Sequence, residues 1–319
     1  MILTPEVLTI FILNLLFAFF GVIAFILSVK IYRKWDLSSV SQAQYSLEKQ
    51  SYLGATIIKF IFIIKVPLFL FFVFTLDKIS NVLVGAMCGA GVVDATVYGT
   101  PLFILKIINL YIFAYWIVLN NEDMKNENQP YTKQKFGFFI LAFFLFMGEL
   151  ILEGIMFSSI EIDKMVSCCG TLYSSSSTSA ISSIFALDTN LLLSIFYGVY
   201  LLMVFFYFLK NRYLFGLINV IFIVISLVTL IVFFGTYIYE LPSHHCPFCF
   251  LQGDYYFVGY LIYTLLFLGT FYGIVAGFIP SGQEKRDKSY KMSLIFNTLY
   301  VILLSLFPIV YYIKNGVWL

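Results

Sequence analysis

Residues 213–239 read YLFGLINVIFIVISLVTLIVFFGTYIY, an unbroken run without one charged side chain. A bilayer core about 30 Å thick is crossed by about 20 helical residues, whereas a membrane strand needs only about 9–11. The run is far too long for one strand and shows no alternation of polar and apolar positions, so it reads as a transmembrane helix. Seven further stretches have the same character: about 7–31, 53–76, 99–120, 136–158, 189–210, 255–279 and 292–313. The expected fold is an all-α polytopic integral membrane protein with about eight transmembrane helices, forming a single transmembrane helical domain over residues 1–319. The first span lacks the basic region and small-residue cleavage site of a signal peptide, so it is read as a retained helix.

The composition agrees. The 319 residues are 61% hydrophobic, 20% aromatic and 11% charged, with a mean hydropathy of +0.95. A soluble domain is about 45–50% apolar and about 25% charged. A soluble enzyme, a nucleic-acid binder and a disordered chain are excluded on these grounds. The net charge of +2 offers no field for a polyanionic partner. The many Phe and Tyr residues are expected mainly as lipid-facing filler and interfacial belts.

Basic residues set the orientation, because Lys- and Arg-rich loops stay cytoplasmic. Thirteen of the 19 fall on one side, in loops holding Lys30 to Lys49, Lys125 to Lys135, Lys210 with Arg212, and Lys285 to Lys291. Lys78, Lys164 and Lys314 are alone on the other. Both termini are therefore expected outward. The loops are short, with no separate soluble domain, and the outer tract Ser174–Ser179 reads as a spacer.

All five cysteines fall in outward loops: Cys88, the adjacent Cys168 and Cys169, and Cys246 with Cys249. The only two histidines, His244 and His245, directly precede Cys246. An outward compartment usually oxidises thiols, which makes structural disulfides one reading. Five is odd, however, and neighbouring cysteines cannot bridge each other without strain. The Cys246-x-x-Cys249 spacing suits dithiol chemistry, in which one thiolate attacks and the other resolves. Protonated His244 and His245 would supply the activating charge. The expected catalytic set is Cys246, Cys249, Cys168 and Cys169.

The segment Cys246-Pro247-Phe248-Cys249-Phe250-Leu251-Gln252 resembles the Cys-Pro-x-Cys-x-x-Gln segment of DsbB-type membrane disulfide oxidoreductases, which pass electrons from periplasmic thiols to quinone. The resemblance implies Cys246 and Cys249 as a quinone-proximal pair and Gln252 as a quinone-side, cofactor-binding residue. It covers these seven residues only; Gly253 stands at the family's arginine position, and eight spans replace four. Tyr255, Tyr256 and Phe257 would supply aromatic walls for a quinone.

A second functional reading is a soft-metal site. Thiolates, imidazoles and thioethers select copper-like ions, and Met87, Cys88, Cys168, Cys169, His244, His245, Cys246 and Cys249 are its candidate ligands. Such a site would bind, deliver or transport the ion. No haem is expected, since only two histidines exist and no haem-attachment motif is present. The expected partners are the lipid bilayer and either a periplasmic thiol protein or a metallochaperone, with no nucleic acid. A non-catalytic subunit of a membrane complex, held by structural disulfides, is a further alternative. The expected setting is a bacterial-type inner membrane, with the Cys/His loops on the periplasmic side.

Ionisable groups within spans mark function or a buried pair. Glu149 and Glu153 lie four apart, on one face of their helix. Lys106 lies at similar depth, and a Lys106–Glu149/Glu153 cluster is expected. Lys65 is too deep to snorkel and should face the bundle or a cavity.

Overall fold

The structure is a computed structural model describing residues 4–36, 41–161, 165–166 and 188–319. Cys168, Cys169, Lys164 and the Ser174–Ser179 tract lie outside the described residues. All regular structure among the described residues is helical. In chain order the helices are α1 (Pro5–Lys34), α2 (Gln42–Ser80), the short α3 (Gly89–Asp94), α4 (Gly99–Asp123), α5 (Thr132–Ser159), α6 (Thr189–Leu209), α7 (Arg212–Tyr239), α8 (Val258–Phe278) and α9 (Gln283–Asn315). All except α3 are long and apolar enough to cross a membrane. The chain is thus an all-α polytopic membrane protein.

Local chemistry sets the helix starts. Ser41 caps α2 by accepting from the Gln44 amide at 3.3 Å, and Asp188 caps α6 through the Asn190 amide at 2.9 Å. Between α6 and α7 the chain reverses within two residues. Lys210 takes a left-handed conformation and Asn211 then caps α7 by accepting from Leu214 N.

The domain expected over 1–319 divides into two compact units. The first comprises residues 1–84 and 92–166 and contains α1, α2, α4 and α5. In it α1 packs on α2 and α5, and α4 packs on the same two helices. Its interior is aromatic: Phe62 stacks on Phe113 with centroids 4.2 Å apart, and Phe136, Phe139, Phe146 and Trp116 are buried around them. Many of the phenylalanines expected in lipid therefore build this core, because flat rings interlock where lipid tails and side chains are equally apolar. At the α4–α5 turn, Lys135 is buried rather than solvated and pairs with Asp123 at 2.7 Å. Asp123 also accepts from the Tyr131 amide and the Thr132 hydroxyl.

The second unit comprises residues 85–91 and 167–319 and contains α6 to α9. Here α8 is the central helix, packed on both α7 and α9. It carries Gly269, Gly273 and Gly277 four residues apart, which lets neighbouring backbones approach closely. A Cβ at Gly277 would lie 2.7 Å from the Gly216 Cα of α7. The same approach brings polar groups together: Asn297 Nδ2 donates to Asn219 Oδ1 at 3.0 Å, and Ser293 Oγ donates to the Gly269 carbonyl at 2.7 Å. Near its end α7 widens into a π turn over Leu230–Phe234, a local irregularity that frees a carbonyl from the regular ladder.

Candidate functional site

The Cys246–Cys249 segment lies in the turn that joins α7 to α8. Helix α7 stops at Glu240, which is left-handed at φ 52°. The chain then runs through a short 3-10 turn at Cys249–Leu251 and another at Gly253–Tyr255 before α8 begins. Two tyrosines hold this turn from beneath. The Tyr239 hydroxyl donates to the Cys246 carbonyl and accepts from the Phe250 amide at 3.1 Å. The Tyr263 hydroxyl of α8 donates to the Pro247 carbonyl at 2.7 Å. Gly259 lets the turn rest on the first turn of α8, since a Cβ there would lie 2.9 Å from the Phe250 carbonyl oxygen. Tyr256 and Phe257 complete the connection, both left-handed at φ 54° and 56°.

This scaffold gathers three sulfurs. Cys88, Cys246 and Cys249 are all buried, and their Sγ atoms all lie within 4.8 Å of one another. Cys88 Sγ lies 3.4 Å from Cys246 Sγ. That exceeds a disulfide bond of about 2.05 Å, so Cys88 and Cys246 are not bridged to each other. Cys88 belongs to the same compact unit as the other two, through residues 85–91. Of the expected catalytic set, Cys168 and Cys169 lie outside the described residues. Cys88, expected only in the metal alternative, is the cysteine that the fold brings to Cys246. Nothing in its sequence neighbourhood signals this, because the two residues are 158 positions apart.

The two histidines differ. His245 is fixed: its Nδ1 lies 3.0 Å from the Ile231 carbonyl, inside the π turn of α7. A carbonyl only accepts, so Nδ1 carries the proton in this contact. His244 is half-buried, rests edge-on against the Tyr239 ring at 4.3 Å, and its Nε2 has no hydrogen-bond partner among the described residues. Burial pushes the proton affinity of His244 down. Cys88 opposes that shift, and His245 adds to it. The net direction favours a neutral ring, which cannot supply the positive charge that the dithiol reading asks of it. Neither imidazole belongs to the 4.8 Å sulfur group. Met87 keeps its side chain 71% exposed, while its carbonyl accepts from Gln252 Nε2 at 3.4 Å. Gln252 thus lies beside the Cys88 loop.

The expected charge cluster is present in the first unit and is larger than anticipated. Glu149 Oε1 lies 2.9 Å from both Lys65 Nζ and Lys106 Nζ, and Lys106 Nζ lies 2.9 Å from Glu153 Oε1. Asn14 joins the ends of the network: its amide donates to Glu153 Oε2 at 2.7 Å, and its oxygen accepts from Lys65 at 3.1 Å. Asn109 donates to Glu149 Oε2 at 2.7 Å. Four helices thereby share two ammonium groups and two carboxylates, all buried, with no net charge. A cavity of about 10 Å³, lined in part by Lys65, Lys106 and Glu149, adjoins them; that is room for about one water. The two asparagines escaped the sequence reading. Their signal is an amide inside an apolar span, which costs free energy unless a neighbour bonds it.

The chain matches no family model, and neither curated proteins nor solved structures yield a match.

Proposed function

We propose that this membrane protein holds a soft, copper-class metal ion through the thiolates of Cys88, Cys246 and Cys249 and hands it to a partner at the outer membrane face. The convergence of three buried sulfurs within 4.8 Å carries the reading. A soft ion bound about 2.3 Å from each of three thiolates sets the sulfurs about 4 Å apart. Only small rotations are needed from the present separations. A dithiol couple needs two sulfurs; the third is what a three-coordinate ion requires. Thiolate donors select such an ion over harder ones. Burial keeps a neutral thiol a poor nucleophile, whereas a bound metal deprotonates it outright. The outward placement comes from the distribution of Lys and Arg. It suits receipt of the ion from, or delivery to, a metallochaperone.

The 3.4 Å approach of Cys88 to Cys246 favours a second reading, thiol–disulfide exchange. In that case the two S–H bonds break and one S–S bond forms. The two protons and two electrons that leave the thiols convert a membrane quinone to quinol near Gln252.

Thiol labelling with mass spectrometry separates the two. The reduced full-length protein in detergent is alkylated with and without one equivalent of Cu(I). The metal reading expects Cys88, Cys246 and Cys249 to be protected together by the ion, with no disulfide before reduction. Equal labelling with and without copper overturns it. A Cys88–Cys246 disulfide that forms only when quinone is added establishes the exchange reading instead.

A further inference from the structure

At the end of the second unit opposite the sulfurs, α6 stops, α7 starts, α8 stops and α9 starts. Helices α7 and α9 run side by side from that end, and three contacts fix their register. The Phe215 and Tyr290 ring centroids are 4.7 Å apart, and Ser293 Oγ lies 3.2 Å from Asn219 Oδ1. Deeper in, the Phe222 and Tyr300 centroids are 6.1 Å apart. One turn before Phe215 and Tyr290, the same register sets Arg212 beside Arg286. Tyr290 is only 4% exposed, yet its hydroxyl has no hydrogen-bond partner among the described residues. A long helical side chain leans toward its own N-terminus, which aims this hydroxyl at the level of Arg286. Ser281 Oγ, in the connection from α8 to α9, is also buried without a partner among the described residues. Buried hydroxyls left unbonded require an explanation.

Charge and apolar surface supply one. Residues 210–214 and 281–291 carry six basic side chains against two acidic ones, Glu284 and Asp287. Arg212 and Arg286 are both half-buried, and neither enters an ion pair among the described residues. Arg212 donates to the exposed Tyr213 hydroxyl. In the first unit, by contrast, Lys125 and Lys135 at the α4–α5 turn each face a carboxylate, Glu122 and Asp123. Exposed Phe208, Leu209 and Leu214 flank the arginine pair with the apolar surface that acyl chains need.

We propose that Arg212, Arg286 and the Tyr290 hydroxyl bind the phosphate of an anionic phospholipid at this end of the second unit. A guanidinium takes two phosphate oxygens at once, and the tyrosine donates to a remaining one. Basic pockets between helix ends are suited to anionic headgroups. The helix ends lie at headgroup depth beside apolar surface, so the occupant is a lipid rather than free phosphate. The site stands apart from the sulfurs and does not depend on the metal reading.

The test titrates delipidated full-length protein in detergent with phosphatidylglycerol, phosphatidylcholine or inorganic phosphate, read by native mass spectrometry and thermal unfolding. Phosphatidylglycerol is expected to be retained, and to raise the unfolding temperature, at concentrations where the other two do neither. Combining Arg212→Gln with Arg286→Gln should weaken its retention about 25-fold, about fivefold for each charge removed. Tyr290→Phe should weaken retention about tenfold. The same variant should unfold no earlier without lipid, because it removes a hydroxyl that bonds nothing. A control pair on the exposed end of α1, Arg33→Gln with Lys34→Gln, should leave retention unchanged. Equal retention of the two lipids, or a control pair as costly as the arginine pair, overturns the proposal. So does unchanged retention in Tyr290→Phe, or inorganic phosphate that stabilises as well as the lipid.

Discussion

The Lys65/Lys106/Glu149/Glu153 network and the Cys88/Cys246/Cys249 group are both buried polar chemistry in a helical membrane protein, yet they are built on opposite terms. In the first, each formal charge faces an opposite one at 2.9 Å, and Asn14 and Asn109 take up further lone pairs and protons. Hard charges in an apolar interior demand that closure, because an uncompensated one is very costly. The second group is soft and contributed by loops, and a cysteine side chain is buried at little cost. Charge closure is what joins four helices; a convergence of soft donors is what can receive a ligand. The network's closed pairing holds the first unit together, and the sulfur group is where the proposed function is placed.

The largest expected effect lies in the network. Glu149→Ala leaves two ammonium groups facing one carboxylate, and a loss of about 3–5 kcal/mol is expected. Thermal unfolding in detergent reads it, and the Cu(I) stoichiometry of the protein that remains folded should be unchanged. A variant that unfolds normally yet binds no metal would reverse the two assignments. Next comes Tyr239→Phe, which strands the Cys246 carbonyl and the Phe250 amide. It should cost about 1–3 kcal/mol and weaken Cu(I) binding about 10–100-fold, as the loss of an outer-shell support does. Competition with a chelator measures the affinity, and an unchanged value would mean that the tyrosine holds only the fold. Replacing His245 by Phe removes the bond to Ile231 and should cost about 1 kcal/mol in the same unfolding assay. The smallest effect has the opposite sign. Tyr256 is 93% exposed and left-handed, so Tyr256→Gly should stabilise the protein by about 1 kcal/mol, with no change in Cu(I) affinity. A drop in affinity would show that the strained turn positions the sulfurs.

Much of this was legible in the sequence. The eight helices are, because apolar runs such as 213–239 admit no other membrane structure. The Lys106–Glu149/Glu153 cluster is too, because ionisable groups at one depth on adjacent helices must find one another. The larger network was not: Asn14 and Lys65 come from helices whose neighbours depend on three-dimensional packing. The sulfur group divides in the same way. Cys246 and Cys249 announce themselves by spacing and by His244 and His245. Cys88 is a lone cysteine in its loop, and only folding shows that it meets Cys246. The glycine series on α8 was a readable signal that went unused: three glycines at intervals of four predict the close approach that places Asn219, Ser293 and Asn297 together.

The central claim is that three sulfurs from two separate loops form one metal centre. X-ray absorption at the copper edge, on full-length protein carrying one equivalent of Cu(I), tests it most directly. The account predicts three sulfur neighbours at about 2.3 Å, falling to two in Cys88→Ala. A copper shell of two sulfurs that is unaffected by Cys88→Ala, or one dominated by nitrogen and oxygen, would contradict it.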